Sequence, residues 1–219
     1  MNARLTLLVL GVLGGPPVLA EPTEQDPGRR LVEDFISDIA TLAGRFEQSL
    51  IDAKGEVIEV TSGTLEIQRP GRFRWSYVEP YEQVLVADGL NIWSYDVDLA
   101  QVTVKPQAEA LSNTPALLLG GSADALEQFV HENTYSSEST TWVRMSPKNT
   151  DSGFLHVELG FIDRQLSRMV FYDNLEQTTV VALNDVLLNE HIDPGRFEFS
   201  APDGVDVVGS PAVAQAPIP

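Results

Sequence analysis

Residues 69–104, which read RPGRFRWSYVEPYEQVLVADGLNIWSYDVDLAQVTV, decide the fold of this chain. In an extended segment Phe73, Trp75 and Tyr77 project to one side, with polar residues between them, and this period of two is typical of a half-buried strand. Asp88-Gly89 then predicts a tight hairpin, because glycine accepts the positive φ that such turns require. The stretch contains no recognisable catalytic group. It therefore predicts aromatic-rich strands and a surface that binds an apolar ligand.

Strand-like patterns continue on both sides of this stretch. Residues 46–52 and 56–68 precede it, around a turn at Ala53-Lys54-Gly55. Turn residues also separate the later segments TTWVRMSP, FLHVELGF, LSRMVFYD, TTVVALNDVLL and RFEFSAP. Consecutive strands with short turns favour an antiparallel sheet, and with few helices to cover its apolar face the sheet must curl around them. The predicted fold is mainly β: a single-domain, unclosed antiparallel β-barrel, capped by a lid of short α-helices that encloses a hydrophobic cavity.

Three segments predict the helices of that lid. The first runs from Pro27 to Ala43, with Asp26 as its cap and an apolar stripe formed by Leu31, Phe35, Ile39 and Leu42. Two shorter helices are expected over 114–119 and 122–129, and the first of them contains Leu117, Leu118 and Leu119. These leucines and the stripe would form the underside of the lid. The alternative is ordinary packing of amphipathic helices on a sheet.

The two ends of the chain differ from its middle. Residues 1–20 have the pattern of a cleaved signal peptide, with Arg4 before an apolar core and Val18-Leu19-Ala20 at the cleavage position. We expect residues 21–208 to form one domain and the Pro- and Ala-rich residues 209–219 to be disordered. The chain has no cysteine, so neither a disulfide nor a lipid on an N-terminal cysteine is available. These features predict a soluble protein outside the cytoplasm.

The net charge of the chain limits the kinds of molecule that it can bind. Its formal net charge is −18, and removal of residues 1–20 would lower it to −19 because Arg4 is lost. Such a charge repels nucleic acid and anionic headgroups, so DNA binding and a membrane-surface role are disfavoured. A solvated surface explains the acidity more simply than a specific basic partner does. No nucleic-acid partner is expected.

Catalytic and metal-binding patterns are missing from the sequence. The histidines His131, His156 and His191 are far apart, and there is no H-E-x-x-H, G-x-S-x-G or P-loop motif. Asp96 and Asp98 could suggest a metal-binding pair, yet they lie between two predicted strands, where aspartate favours a turn. We therefore expect neither an enzyme nor a cofactor or metal.

The spaced elements RPG, FRW, DG, W-x-YD, L-x-QV and NTP together resemble the periplasmic outer-membrane lipoprotein carrier family, LolA. The resemblance covers nearly the whole mature chain and implies the same unclosed, helix-capped barrel. It also implies a monomeric carrier that accepts triacylated lipoproteins from an ATP-driven transporter of the inner membrane. The carrier then crosses the periplasm and delivers them to an acceptor on the outer membrane. That acceptor shares the fold but is itself a lipoprotein, which a chain without cysteine cannot be.

The resemblance also implies residue roles. Arg69 matches the family's arginine that hydrogen-bonds backbone carbonyls of the lid, so it would act as a latch; without the resemblance it is an ordinary turn arginine. The predicted lipid-binding residues are Leu31, Phe35, Phe46, Leu65, Ile67, Phe73, Trp75, Tyr77, Val84, Val86, Trp93, Leu117 and Leu118. For each of them plain core packing is the rival explanation. A lipocalin-like binder of a small amphiphile or lipid remains the alternative function.

Overall fold

The computed structural model describes residues 26–108, 120, 126–149 and 152–213. In this part of the chain helix α1 (Pro27–Asp38) comes first, and a short 3-10 helix (Pro194–Phe197) follows the eleventh strand. The strands are β1 (Thr41–Ile51), β2 (Val57–Gln68), β3 (Arg72–Glu79), β4 (Gln83–Asp88), β5 (Asn91–Asp96), β6 (Gln101–Pro106), β7 (Phe129–Ser137), β8 (Thr140–Pro147), β9 (Phe154–Ile162), β10 (Gln165–Asp173), β11 (Thr178–Leu188) and β12 (Asp206–Gly209).

These strands form one sheet in the order β12-β6-β5-β4-β3-β2-β1-β11-β10-β9-β8-β7. Every neighbouring pair is antiparallel except β12 and β6, which are parallel. The sheet curls strongly, but its edge strands β7 and β12 do not pair with each other, so the barrel stays open. This confirms the predicted fold class. Of the three predicted helices, α1 lies in the described residues, whereas residues 114–119 lie outside them.

Helix α1 begins where the sequence predicts and ends earlier. The Asp26 carboxylate accepts hydrogen bonds from the amides of Gly28 (2.8 Å) and Arg29 (3.3 Å), which satisfies donors that the first helical turn leaves free. The predicted end at Ala43 is wrong: Ile39 is already extended, and Leu42 lies in β1, opposite Ile67 and Leu188. The apolar spacing that suggested a longer helix runs unbroken into the strand.

One face of the sheet is concave and apolar. Alternate residues of the central and distal strands project into it, among them Leu42, Leu65, Ile67, Leu159, Phe161 and Met169, all nearly fully buried. Helix α1 adds Leu31, Val32, Phe35, Ile36 and Ile39 to the same cluster. Burying one such side chain contributes about 1.5–3 kcal/mol, so this interface is a major source of the stability of the fold.

The convex face of β3 to β6 is covered by the C-terminal segment. Phe197 is almost fully buried there, the ring of Phe199 stacks on Trp93 at 5.5 Å, and Arg196 pairs with Glu66 at 2.7 Å. The prediction that RFEFSAP is a strand is therefore wrong, since its first residues belong to the 3-10 helix. Phe197 and Phe199 instead pack against the convex face of the sheet.

Three other sequence predictions need correction. The disordered tail does not begin at residue 209, because Gly209 pairs in β12 and the amide of Ala212 donates to Asn91 Oδ1 at 2.6 Å. The helix expected over 122–129 cannot include Phe129, which starts β7, and residues 122–125 lie outside the described part of the chain. Strand β7 itself was not predicted, because as an edge strand it is largely polar. Residues 1–20 and 214–219 lie outside the described part of the chain.

Candidate functional site

The candidate site is the apolar space between α1 and the concave face of the sheet. An aromatic cluster marks its centre: Phe46 lies 4.9 Å from Trp75 and 5.1 Å from Tyr77, measured between ring centroids. Phe46 belongs to β1 and the other two residues to β3, and β2 runs between these strands. The intervening residue of β2 is Gly63, whose missing side chain makes room for the Phe46 ring. A patch of aromatic surface results.

Helix α1 closes the other half of this space. Phe35 packs edge-on against Phe161 of β9, with ring centroids 6.0 Å apart, and Leu31 is buried one helical turn earlier. On the sheet, Phe73 pairs with Ile67 on one side and with Ala87 on the other. The predicted residues that share this interior are Leu31, Phe35, Phe46, Leu65, Ile67, Phe73, Trp75 and Tyr77.

Three predicted lipid-binding residues lie on the wrong face. Val84, Val86 and Trp93 project to the convex side, because their strand neighbours Leu85 and Ala87 face the interior. Val86 is paired with Trp93, whose indole donates to Asp88 Oδ2 at 2.8 Å and stacks on Phe199. Both faces of β4 and β5 are apolar, so alternation alone could not show which face is concave. The predicted Leu117 and Leu118 lie outside the described residues.

Sequence analysis missed the contribution of the later strands to the interior. The concave face continues through β8, β9 and β10 with Val143, Met145, Val157, Leu159, Phe161, Leu166 and Met169. The signal was present, since these side chains alternate within segments already recognised as strands. What the sequence did not show is that these strands curl onto the same helix as the aromatic ones.

Arg69 follows β2 and reaches the C-terminal end of α1. Its Nη1 atom donates to the carbonyl oxygen of Ile39 (2.6 Å), which the helix leaves without an internal partner, and to that of Phe35 (3.2 Å). The guanidinium also lies over the Phe35 ring, 4.7 Å from its centroid. A positive charge beside the negative end of a helix is favourable. Arg69 therefore ties the sheet to the last turn of α1.

The contacts of Arg69 do not replace all of the hydration that its guanidinium loses on burial. Burial lowers the pKa of the Arg69 guanidinium to about 10, because the charged form loses its hydration. Its Nε and Nη2 atoms are buried and find no acceptor in the described part of the chain. A buried donor without a partner costs free energy. The hydrogen bonds from Arg69 to α1 are thus specific in geometry, but they offset only part of the free-energy cost of burying the guanidinium.

The end of the barrel opposite Arg69 is polar. A cavity of about 480 Å³ lies there, lined by Gln48, Glu59, Thr61, Tyr77, Tyr81, Glu82, Gln83, Asp96, Asp98 and Leu99. Burial and, after it, the nearby Glu59 carboxylate raise the pKa of Tyr77 to about 12. Asp96 accepts a hydrogen bond from the amide of Leu99 at 2.9 Å, which is the turn role that the sequence suggested. The aromatic cluster therefore borders an acidic cavity at this end.

The arrangement offers binding surface and no reactive group. The interior consists of aliphatic and aromatic side chains, while the titratable groups described above lie at its two ends. Within the described ranges no cluster of His, Cys, Asp or Glu could hold a metal ion, and no helix is long and apolar enough to cross a membrane. The site can solvate apolar chains, and among the described residues α1 is the element that separates it from water.

Comparison with known proteins agrees with this geometry. The model of the family described as "Outer membrane lipoprotein carrier protein LolA" matches residues 37–200. Proteins named outer-membrane lipoprotein carrier protein are similar to this chain: that of Halorhodospira halophila is 39% identical, covering 94% of this chain and 95% of its own. That of Nitrosomonas europaea is 36% identical, covering 95% and 99%.

A solved structure of an uncharacterized conserved protein from Thermus thermophilus shares the fold. It superposes with a TM-score of 0.52 and covers 82% of this chain and 98% of its own, at 13% sequence identity. At that identity the likeness concerns the fold alone.

Proposed function

The chain belongs to the outer-membrane lipoprotein carrier family, LolA, and on that premise we propose how its interior carries the acyl chains of a lipoprotein. It is a periplasmic chaperone of lipoprotein transport and not an enzyme. The observation that carries the proposal is the apolar concave face closed by α1. That face offers an acyl chain a surface built mainly of aliphatic and aromatic side chains.

The energetics explain why such a carrier is needed. Each acyl chain has roughly fifteen methylenes, and each methylene contributes about 0.8 kcal/mol when it leaves water. Exposing three chains would therefore cost roughly 35 kcal/mol, which rules out free diffusion of a triacylated lipoprotein. Transfer from a bilayer into an apolar protein interior is nearly neutral by comparison. The carrier needs only a comparable apolar surface and a way to open it.

The proposed lining consists of Phe46, Leu65, Ile67, Phe73, Trp75 and Tyr77 on the sheet, with Leu31 and Phe35 on α1. All eight belong to one apolar cluster or pack against it, and within it the rings of Phe46, Trp75 and Tyr77 contact one another. Acyl chains would take the place of the α1 stripe as the helix moves away from the sheet. The apolar area lost when α1 leaves is then regained against the cargo.

We assign the latch of this movement to Arg69. Its two bonds to α1 carbonyls support the role, and so does the desolvated state of its guanidinium, which leaves the closed position only weakly favoured. A latch of this kind releases the helix without a large barrier. Arg69 would therefore couple opening to cargo exchange.

The route of the cargo is the finer part of the proposal. Triacylated lipoproteins would come from an ATP-driven inner-membrane transporter and pass to an outer-membrane acceptor, with the carrier acting as a monomer. Residues 1–20 would direct export and be removed. The acidic surface would keep the carrier away from anionic headgroups between the two docking events.

The decisive experiment follows a triacylated lipoprotein on spheroplasts of a diderm bacterium. Radiolabelled lipoprotein is chased with or without the mature protein in the medium, and the supernatant is separated by size exclusion. We expect a soluble one-to-one complex only when the protein is present. If a protein shown to be folded leaves the lipoprotein in the membrane while it binds a small amphiphile, the lipocalin-like alternative replaces the carrier function.

The latch assignment has its own test in Arg69→Leu, with Arg72→Leu as the matched control. Arg72 is an exposed arginine of the same turn, and its side chain makes only a long contact to Gln68 at 3.5 Å. Arg69→Leu should still fold and take up lipoprotein but should transfer it to acceptor-containing membranes several-fold more slowly. Arg72→Leu should behave as the parent chain. Normal transfer by Arg69→Leu would remove the latch.

A further inference from the structure

A second cavity, of about 390 Å³, lies beside the N-terminal half of α1. Its wall combines the first turns of α1 with the turns that join β7 to β8 and β9 to β10. The side chains of Leu31 and Phe161 line it too, and both are buried members of the apolar cluster. The cavity therefore reaches from the protein surface to the proposed acyl-binding surface.

Hydrogen-bond donors line the outer part of this cavity. Ser139 and Thr141 contribute hydroxyl groups, and neither hydroxyl has a hydrogen-bond partner in the described part of the chain. Arg164 adds an exposed guanidinium, which uses one N–H group for its 2.6 Å bond to Asp34. Asp163 is the carboxylate among the described lining residues. The cavity thus offers donors on its outer side and apolar surface on its inner side, as an amphiphile requires.

The acidic cavity at the end of the barrel opposite Arg69 has a different character. Its lining includes the carboxylates of Glu59, Glu82, Asp96 and Asp98. An ionised carboxylate accepts hydrogen bonds and cannot donate them, and an ester carbonyl also only accepts. The lining contains amides and hydroxyls as well, but a carbonyl oxygen placed among four negative charges is repelled. Of these two cavities, the one beside α1 suits a group rich in carbonyls.

The attachment of α1 favours the same cavity. At its C-terminal end α1 runs directly into β1, where the amide of Ala40 donates to Asn189 Oδ1 at 2.8 Å. At its N-terminal end, in contrast, the hydrogen bond from Thr134 to Asp26 is exposed to solvent. Helix α1 can therefore separate from the sheet beside this cavity while its other end stays joined to β1.

We infer that this cavity is the subsite for the polar head of the cargo. In a triacylated lipoprotein two esters and one amide join the chains to the N-terminal cysteine, and their carbonyl oxygens accept hydrogen bonds. The hydroxyls of Ser139 and Thr141 and the guanidinium of Arg164 donate to these carbonyls. The chains pass Leu31 and Phe161 into the interior. Burying the carbonyls without such donors would cost free energy. The inference rests on the proposed carrier function and adds the place where the head of the cargo is recognised.

Partition of two lipopeptides between protein and vesicles tests the subsite. Both carry three chains of equal length on the same cysteinyl peptide, but in one of them ether links replace the two esters. The vesicles consist of diether phosphatidylcholine, so that the ester lipopeptide holds the only ester carbonyls. After equilibration the vesicles are sedimented, and the lipopeptide that stays in solution with the protein gives a partition constant. The ratio of the ester constant to the ether constant is compared between chains, which cancels any difference between the lipopeptides in the bilayer.

Ser139→Ala combined with Thr141→Val should lower this ratio about tenfold, the effect expected for the loss of one or two hydrogen bonds. Thr61→Val, which removes a hydroxyl from the lining of the acidic cavity, should keep the ratio of the parent. An unchanged ratio in the double variant, or an equal fall in Thr61→Val, overturns the subsite. Circular dichroism checks that each chain is folded, and Thr141→Val alone replaces the double variant if that one is not.

Arg164→Leu and Asp34→Asn form a second matched pair, because both break the same ion pair but only the first removes the guanidinium. The ratio should fall several-fold in Arg164→Leu and stay that of the parent in Asp34→Asn. Equal ratios in these two variants would remove Arg164 from the subsite. Failure of the carrier function would look different, since neither lipopeptide would then leave the vesicles with any chain, the parent included.

Discussion

Trp75 and Trp93 come from the same aromatic stretch, yet the fold uses them in opposite ways. Trp75 lies on the concave face against Phe46 and Tyr77, and its buried Nε1 atom has no hydrogen-bond partner in the described part of the chain. Trp93 lies on the convex face, where its Nε1 atom donates to Asp88 and its ring meets Phe199. The convex face is joined to its cover by ring stacking and by polar contacts such as the Arg196–Glu66 ion pair. The concave face makes no polar contact through its described tryptophan, as suits the proposed exchange of α1 for an acyl chain.

The largest expected difference in stability between the two faces comes from replacing one glycine on each face by alanine. A Cβ on Gly63 would lie 1.9 Å from the backbone carbonyl oxygen of Ser76, so Gly63→Ala must separate β2 from β3 beneath the aromatic cluster. On the convex side, a Cβ on Gly160 would meet the Trp142 ring at 2.8 Å, and a half-exposed ring can swing outward. We expect Gly63→Ala to cost at least about 3 kcal/mol and Gly160→Ala about 1 kcal/mol.

Urea unfolding of the two glycine variants measures this difference. The ratio of the two costs matters more than either value, because both substitutions add one methyl group to a strand. Equal losses would mean that the concave side yields as easily as the convex side, contrary to the contrast drawn from the two tryptophans.

A smaller effect is expected when each tryptophan becomes phenylalanine. Trp93→Phe removes the 2.8 Å bond to Asp88 and should cost about 2 kcal/mol, since a partly buried carboxylate oxygen loses its donor. Trp75→Phe removes a buried donor that has no partner among the described residues, so the loss of ring volume is offset and the cost should stay below about 1 kcal/mol. The free energy of unfolding in urea measures both. A Trp75→Phe variant less stable than Trp93→Phe would contradict the proposed difference between the faces.

The smallest expected effect is a pH dependence confined to the convex face. Burial alone would raise the pKa of Asp88, but hydrogen bonds from the Trp93 indole and then from the amides of Asn91 and Leu90 outweigh it and lower that pKa. A carboxyl whose pKa is lower in the folded state stabilises the fold above its unfolded pKa of about 3.9, and this stabilisation is lost as the pH falls through the folded value.

The stability difference between the parent and Trp93→Phe should therefore shrink as the pH is lowered from about 6 towards 2.5, whereas the difference for Trp75→Phe should stay constant. Urea unfolding at several pH values measures both series. A constant difference for Trp93→Phe would show that Asp88 does not sense the indole.

The sequence predicted those features that local rules control. Asp26 and Pro27 marked the start of α1, and Asp88-Gly89 marked a hairpin in which Gly89 does adopt a positive φ of 99°. Features that depend on distant contacts were not predictable. The end of α1 is an example, because the apolar spacing continues through Leu42 and only pairing with β2 and β11 shows that this residue is in a strand.

The same limit applies to the candidate site. Phe46, Trp75 and Tyr77 could be chosen from alternation, but Val86 and Trp93 alternate equally well, and only the C-terminal cover shows that they face outward. The carbonyl partners of Arg69 lie 30 and 34 residues earlier in the chain, so no local pattern reports them. The hydrogen bond from Thr134 of β7 to Asp26, at the start of α1, was missed for this reason too, since the two residues are 108 positions apart.

The open seam between β7 and β12 has a further consequence. A closed barrel with a given number of strands and shear has a fixed radius, so its interior volume cannot change without breaking the strand ladder. A sheet whose edge strands do not pair with each other has no such fixed radius. Each pair of strands can twist slightly, so that the circumference widens while the backbone hydrogen bonds between strands are kept. In the proposed carrier function, such a sheet would accommodate acyl chains of different length and number with the same set of side chains. Because β7 and β12 do not pair, the width of the interior is adjustable.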